Sequence, residues 1–146
     1  RNSISRKNIK NMKKILIVVS YYYEEVARGL VEGATNILET NNYKYEIKEA
    51  PGAFEIPFII NKYKNKFDGY IALGCVVRGE TFHFEIICNE VTRKIMDLSI
   101  DINKPIGFGI ITCENIEQAI KRSSSTQNKG AEAAKACQKL LENLIN

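Results

Sequence analysis

The stretch RGETFH at residues 78–83 combines residue types that could bind an anion and move a proton. A glycine loop that leads into a helix leaves backbone N–H groups free at the helix N-terminus, and such groups bind phosphate. His83, the single histidine of the chain, would then lie in the helix's first turn, where the helix dipole favours the neutral ring over imidazolium. The stretch therefore indicates a phosphate site beside a proton-transfer group, against the commoner structural role of a lone histidine.

Two further segments place aromatic and acidic side chains where a ligand could meet them. Tyr21, Tyr22 and Tyr23 directly follow an apolar run, and they suit either packing at a rim or stacking on a planar ligand. Phe54 and Glu55 lie at a predicted helix start, where a carboxylate is commonly a partner of the helix dipole and can also bind ligand hydroxyls. On the residues alone, both interpretations stay open for each segment.

The sequence lacks the usual signatures of metal and nucleotide sites. His83-Phe84-Glu85 matches the HxE of zinc deaminases, but no PCxxC follows to supply thiolate ligands. Neither of the glycine-rich nucleotide motifs, GxxxxGKS/T and GxGxxG, occurs. The cysteines have no CxxC spacing and lie in apolar or helical patterns, which favours buried free thiols in a reducing compartment: Cys75, Cys88, Cys113 and Cys137.

The elements that must position these residues alternate between strands and helices. Residues 15–19 form a β-branched run typical of a strand buried on both faces, and apolar spacing of three or four over residues 26–38 predicts a helix. Residues 43–47 alternate between apolar and charged types like a half-exposed strand. Residues 54–66 predict a second helix, with Pro57 tolerated in its first turn.

The second half of the chain repeats this alternation. Residues 70–73 and 106–111 predict strands, and the long helix between them ends before Pro105. The spacing of Asn115 and Gln118 resembles a capping box at the start of a short helix. After a break at residues 123–127, the last helix keeps an apolar inner face made of Ala134, Cys137, Leu141 and Leu144.

This order of elements predicts an α/β fold of the flavodoxin-like, three-layer kind. Strands that alternate with helices form a mostly parallel sheet, here of four strands, with helices on both faces. Ligands bind such sheets beyond the carboxyl ends of the strands. We therefore look for a site in residues 20–24, 51–55, 74–83 and from 112 onward.

Charge and length divide the chain into a basic arm and one domain. The net charge is +4, but residues 1–14 carry six cations and no acid, so the rest is nearly neutral. We expect a basic N-terminal arm over residues 1–13, a single domain over residues 14–146 and no nucleic-acid partner. The run at residues 15–19 is too short for a membrane span or signal peptide, so we expect a cytoplasmic protein.

Four motifs in order resemble those of the lumazine synthase family. They are PGAFEIP at residues 51–57, LGCVVRGETFHFEIICNE at 73–90, GFGIITCENIEQAIKR at 107–122 and NKG at 128–130. The resemblance implies condensation of 5-amino-6-(D-ribitylamino)uracil with 3,4-dihydroxy-2-butanone 4-phosphate to form 6,7-dimethyl-8-ribityllumazine, with release of phosphate and water. This is the penultimate step of riboflavin biosynthesis, and the resemblance implies neither a metal nor an organic cofactor.

The resemblance also implies roles for individual residues. His83 corresponds to the family's proton-transfer residue, and the amides of Glu80 and Thr81 to its phosphate contacts. Phe108 and Arg122 correspond to an aromatic residue and a phosphate-binding arginine, and a neighbouring subunit of a pentamer supplies that aromatic. Lys129 would assist near the phosphate. The implied contacts to the pyrimidine and its ribityl chain are Tyr22, Ala53, Phe54, Glu55, Cys75, Val76 and Val77.

Two positions depart from the family pattern. Tyr22 stands where relatives commonly have Phe or Trp, which preserves a stacking surface. Residues 123–127 read SSSTQ in place of a longer glycine-rich kink that shapes contacts between pentamers, so the choice between a pentamer and a larger shell stays open. Two other functions also stay open: a flavin or pterin binder without turnover, and a shell-forming protein on the same scaffold.

Overall fold

The computed structural model describes residues 13–124 and 126–144. This part of the chain alternates between strands and helices, and of the predicted arm it includes Lys13 alone. The elements are β1 (Lys14–Ser20), α1 (Glu24–Thr40), β2 (Lys44–Ala50), a 3-10 helix (Ala53–Glu55), α2 (Ile56–Lys62), β3 (Gly69–Val77), α3 (His83–Asp101), β4 (Ile106–Cys113), α4 (Ile116–Arg122) and α5 (Lys129–Asn143).

The strands form one sheet in the order β2-β1-β3-β4. β1 pairs with β2 and β3, β3 pairs with β4, and every pairing between described strands is parallel. A chain can join parallel strands only through crossovers, and helices supply them here. Because helices cover both faces, the predicted three-layer, flavodoxin-like α/β fold is confirmed.

Alternate residues of β1 separate two apolar cores. Ile15, Ile17 and Val19 pack in one core with side chains of α1, α4 and α5, whereas Leu16 and Val18 pack in the other with side chains of α2 and α3. All five side chains are fully buried. A strand between two neighbours and under helices on both sides has no solvent face, which explains its continuous apolar sequence.

β2 lies at one edge of the sheet and is mostly exposed, so the strand is found as predicted but is more exposed than the half-exposed strand that its alternating sequence indicated. Ile47 is 42% exposed, so this apolar position does not enter either core. Lys14 and Glu46 form an ion pair of 2.7 Å across the β1–β2 pairing. Charged side chains along an edge strand discourage unwanted pairing with other chains.

Proline chemistry divides the predicted helix over residues 54–66 into two shorter helices. Pro57 has no N–H to donate to Ala53, and the preceding residue, Ile56, instead donates its N–H to the Ala53 oxygen in a 3-10 pattern. The α-helical part, α2, then ends at Lys62. The 3-10 turn carries Glu55 and sets the direction of its side chain.

Two other details of the helices differ from the sequence-based prediction. Leu144 follows the last residue of α5 as its C-cap and is 69% exposed, so it does not belong to the inner face. Asn115 accepts the Gln118 N–H at 2.9 Å as predicted, but the Gln118 side chain accepts from the Glu114 N–H at 2.8 Å. The returning bond of the capping box is therefore shifted by one residue.

α5 packs tightly against α1 and β4. A Cβ at Gly130 would lie 2.0 Å from the Leu30 carbonyl oxygen, and one at Gly107 would lie 2.1 Å from the Ala133 carbonyl oxygen. Real Cβ atoms do not approach a backbone oxygen this closely, so both contacts require glycine.

Polar bonds fasten the same two helices together. The Asn128 side chain caps α5 by accepting the Ala131 N–H, and its amide donates to the Gly29 oxygen at 2.8 Å. Near the other end of the pair, Tyr43, which follows α1 and precedes β2, donates to Glu142 at 3.4 Å. Residues about a hundred positions apart are thereby joined.

Candidate active site

A cavity of about 650 Å³ opens beyond the carboxyl ends of β1 and β3. Three of the four segments selected from the sequence line it, together with the start of α3. This is the position that the parallel sheet predicts for a ligand. The lining residues are Tyr22, Tyr23, Pro51, Gly52, Ala53, Phe54, Glu55, Cys75, Val76, Val77, His83, Ile86 and Ile87.

Two tyrosines before α1 form an aromatic wall. The Tyr22 side chain is 76% exposed, and its ring meets the Tyr23 ring edge to face, with centroids 5.1 Å apart and planes at 78°. Burial raises the pKa of Tyr23, with further contributions from Tyr22 and Cys75. The exposed Tyr22 ring is free to meet a planar ligand, while Tyr23 supports it from the side.

The floor of the cavity is apolar and contains a buried thiol. Cys75 is buried in β3, and burial, with a smaller contribution from Cys113, raises its pKa to about 12. The thiol is therefore protonated at neutral pH and does not act as a nucleophile. Cys113 and Cys137 are buried as predicted, whereas Cys88 is only half-buried, and all four are free thiols.

Glu55 supplies a carboxylate to the lining of the cavity. It ends the 3-10 helix and is exposed to the cavity side. A Cβ at Gly52 would lie 3.1 Å from Oε1 of Glu55, so glycine at this position leaves room for the carboxylate. A carboxylate with free oxygens in a cavity can accept hydrogen bonds from hydroxyl groups of a ligand.

His83 is the first residue of α3 and lines the cavity. Its backbone N–H donates to Oγ1 of Thr81 at 3.3 Å. Glu80 and Thr81 lie in the exposed loop before the helix and are not among the residues that line the cavity. The loop and the helix N-terminus therefore lie beside the cavity, where their amides can bind an anion.

Phe108, Arg122 and Lys129 lie outside the cavity of this chain. Phe108 is in the edge strand β4 and is 41% exposed. Arg122 ends α4, where its Nη1 donates to the Gln118 oxygen at 3.3 Å, and Lys129 pairs with Glu132 at 3.2 Å. A single chain thus brings together eight of the thirteen predicted site residues and leaves these three apart.

The motifs, the sheet order and this cavity agree with one family. A sequence model described as 6,7-dimethyl-8-ribityllumazine synthase matches residues 12–144. The chain belongs to the 6,7-dimethyl-8-ribityllumazine synthase family. Membership of a synthase family confirms the expectation that the chain is an enzyme.

Individual lumazine synthases match over most of their length. The protein of this name from Bartonella tribocorum is 44% identical over 135 residues, which cover 88% of this chain and 89% of the relative. The one from Agrobacterium fabrum is 42% identical over 136 residues, covering 88% and 92%. The one from Bartonella bacilliformis is 45% identical over 127 residues, covering 84% of each chain.

Sequence reasoning assigned no role to several cavity residues of this lumazine synthase family member. Pro51 and Gly52 lie in segments that the strand-end rule had selected, so the signal for them was present, whereas Tyr23 was already a candidate for rim packing or stacking. Ile86 and Ile87 give no such signal, because apolar residues in a helix are expected in a core.

In residues 13–124 and 126–144, no three His, Cys, Asp or Glu side chains are grouped as metal ligands. Among the described helices, none has both the length and the apolar character of a membrane span.

Proposed function

We propose that the chain condenses 5-amino-6-(D-ribitylamino)uracil with 3,4-dihydroxy-2-butanone 4-phosphate to form 6,7-dimethyl-8-ribityllumazine. The observation that carries the proposal is the composition of the cavity, where an exposed aromatic ring, a carboxylate and the histidine line one space of about 650 Å³. A planar pyrimidine stacks on Tyr22, and its ribityl hydroxyls donate to Glu55. The backbone of Cys75, Val76 and Val77 meets the pyrimidine edge, and that of Ala53 and Phe54 meets the ribityl chain.

The phosphorylated ketone binds at the other side of His83. Its phosphate accepts hydrogen bonds from the amides of Glu80 and Thr81 beside the N-terminus of α3. Binding both substrates on either side of one histidine converts a bimolecular encounter into a reaction within one complex. Orientation of this kind is the main source of rate in the proposed mechanism.

The reaction proceeds by attack of the 5-amino group on the ketone, with loss of one water to form an imine. His83 removes the proton from the carbon next to the imine, and the electron pair expels phosphate from the adjacent carbon. The resulting enol becomes a ketone, which the ribityl-bearing nitrogen attacks to close the ring with loss of a second water. The product therefore forms with one phosphate and two waters.

The missing part of the site comes from a second copy of the chain. Phe108 covers the pyrimidine from the neighbouring subunit, and Arg122 and Lys129 of that subunit approach the phosphate. Each chain then holds one half of two different sites, as a head-to-tail contact repeated around a ring requires. We propose a cyclic pentamer of this kind, with a larger shell built from pentamers as the alternative.

The outer side of α3 supports such an assembly. Its buried stripe faces the sheet, while apolar side chains on the opposite side are between 56% and 81% exposed. Arg93 and Asp97 lie between these apolar side chains, so the outer side suits an interface that combines apolar contacts with ion pairs. The exposed apolar residues are Phe82, Ile86, Met96 and Ile100, to which Phe54 and Phe58 add exposed aromatic rings nearby in the fold.

An assay of product formation tests the proposal directly. Purified chain, incubated with both substrates, should form the lumazine chromophore and release one phosphate for each lumazine. Tight binding of a flavin or of the pyrimidine without turnover would identify a binding protein on the same scaffold. Light scattering measures the number of chains in the assembly, and a monomer at working concentration would contradict the shared site.

The four free thiols agree with the reducing cytoplasm, which we propose as the location.

A further inference from the structure

Arg78 has no part in the mechanism above, yet it is fixed at the point where three segments meet. It directly follows β3, and its backbone N–H donates to the Cys113 oxygen at 2.9 Å, which extends the pairing of β3 with β4 by one residue. The next four residues form the loop that leads to α3. The main chain at Arg78 is therefore fixed to the sheet, while the loop projects from it.

The Arg78 side chain joins the two segments on either side of that loop. Its Nε donates to Oε1 of Glu114 at 2.8 Å, in the turn between β4 and α4. Its Nη1 donates to Oε2 of Glu85 in the first turn of α3. The guanidinium carbon also lies 4.5 Å from the centroid of the Phe84 ring.

The loop itself has little other support. Residues 79–82 are all exposed, and a Cβ built at Gly79 meets nothing within 4 Å. The position of the loop therefore depends on its two ends, at Arg78 and in the first turn of α3. Arg78 holds both ends of the loop, because its backbone continues the sheet at one end and its side chain binds Glu85 at the other.

We propose that Arg78 is a positioning residue, which holds the loop at residues 79–82 and the first turn of α3 so that the phosphate amides and His83 face one substrate together. The inference rests on the proposed function, and it adds a residue that acts through Glu85 and Glu114. A planar guanidinium can serve two carboxylates at once, which a lysine ammonium on a flexible stem does less well.

Charge and exposure distinguish this positioning role from direct phosphate binding and from a contribution to global stability. Two carboxylates already accept hydrogen bonds from the guanidinium, and Arg78, Glu85 and Glu114 together have a net negative charge. Arg78 is therefore not a free cation that could bind phosphate. The side chains of Arg78, Glu85 and Glu114 are 39%, 41% and 58% exposed, and ion pairs this exposed add little to global stability. Loss of Arg78 should therefore move the loop without unfolding the domain.

The test compares Arg78→Met with Arg28→Met. Arg28 also forms an exposed ion pair, with Glu24, but both partners lie on α1 and join no separate segments. We expect Arg78→Met to lower kcat/KM for the phosphorylated ketone about 10- to 100-fold, because misplacement by an ångström has effects of that size. Its Kd for the pyrimidine substrate and its Tm should match those of Arg28→Met. Equal loss of affinity for both substrates, or a much lower Tm, would mean a general structural role.

Two further variants identify the bridge as the cause. Arg78→Lys keeps the charge, so full recovery of kcat/KM would assign the effect to the positive field and overturn the proposal. Glu114→Ala should reduce kcat/KM in the same direction, and adding it to Arg78→Met should have almost no further effect, since the bridge is already lost. Additive effects would show that the two residues act separately.

Hydrogen exchange gives a measurement that does not depend on turnover. The hydrogen-bonded amides of His83 and Ile86, where the loop joins α3, should exchange faster in Arg78→Met than in the wild-type chain or in Arg28→Met, while those of β3 stay protected. Unchanged exchange of the His83 and Ile86 amides would refute the proposal even in an active enzyme. If the wild-type chain forms no lumazine, the proposed function fails, and exchange of these amides still decides whether Arg78 orders the loop.

Discussion

The two halves of the proposed site differ in how completely one chain builds them. The half around Tyr22, Glu55 and His83 is a formed cavity whose walls come from three separate segments. The half around Phe108 and Arg122 is a set of exposed or half-buried side chains on β4 and α4 that share no cavity with the first.

The difference separates what folding provides from what assembly must provide. The cavity half binds by shape, through an aromatic wall and an apolar floor, and both exist as soon as the sheet is formed. In the proposed assembly, the other half offers mainly a cation and one aromatic ring, which a second molecule would bring to the cavity. Binding of the pyrimidine should therefore tolerate loss of assembly better than binding of the phosphorylated ketone.

The largest effect should come from the histidine in the cavity half. We expect His83→Ala to lower kcat by roughly 100- to 10,000-fold, the range for loss of a general acid–base group, with little change in pyrimidine affinity. Single-turnover rates and calorimetry measure the two quantities separately. A variant rate equal to that of the wild type would remove His83 from proton transfer.

Mixing two impaired variants should recover activity if the halves belong to different chains. His83→Ala and Arg122→Ala chains are unfolded together in equal amounts and refolded. With random placement in a ring, about one quarter of the sites combine an intact His83 with an intact Arg122, so activity should rise to about a quarter of the wild-type value. Variants refolded separately and then combined are the control. No recovery in the mixed rings would place the whole site in one chain.

Loss of the arginine alone should affect one substrate. We expect Arg122→Ala to weaken the phosphorylated ketone by about 1.5 to 3 kcal/mol, which is roughly 10- to 150-fold in KM, since a charge-assisted phosphate contact is removed. Affinity for the pyrimidine should stay unchanged. Lys121→Ala, which removes an exposed cation from the same helix, is the matched control. An equal effect of both variants would indicate a general field of positive charge.

The smallest effects concern the aromatic wall. Tyr22→Ala should weaken pyrimidine binding about 2- to 12-fold, as expected from an aromatic contact of about 0.5 to 1.5 kcal/mol. Tyr22→Phe keeps the ring and should bind almost as well as the wild type. Calorimetric titration with the pyrimidine substrate measures both. If Tyr22→Phe loses as much as Tyr22→Ala, the hydroxyl group and not the ring face holds the ligand.

Local patterns predicted the fold because each reports a physical requirement of its own element. The β-branched run at residues 15–19 is buried on both faces in β1, and the apolar spacing at residues 26–38 forms the inner side of α1. The errors in the predicted fold occur at the ends of helices and strands, where a single residue can decide whether the element continues. β3 continues through Gly74 to Val77, four residues beyond the predicted end at Leu73, since pairing with β4 holds the strand there.

The predictions for the site also depended on whether a local sequence pattern reports the position of a residue. Residues of the cavity half follow strand ends, so the topology of a parallel sheet was enough to select their segments. The contacts of Arg78 could not be predicted in this way, because Glu114 is 36 residues distant and ion pairing leaves no periodic pattern. Phe108 and Arg122 were assigned from family resemblance, and their placement in a neighbour's site stays a prediction.

The bonds between α1 and α5 have a consequence for synthesis of the protein. Asn128 bonds to Gly29 and Tyr43 bonds to Glu142, and each bond joins residues that are 99 positions apart in the sequence. On the ribosome, α1 and the whole sheet emerge before α5, and one apolar layer has no cover until α5 arrives. Such a nascent chain exposes surface that invites aggregation. Emergence of α5, and not formation of the sheet, should therefore be the step after which the chain no longer exposes this aggregation-prone surface. Arrested chains that lack α5 should bind chaperones strongly, and chains in which α5 has cleared the exit tunnel should not.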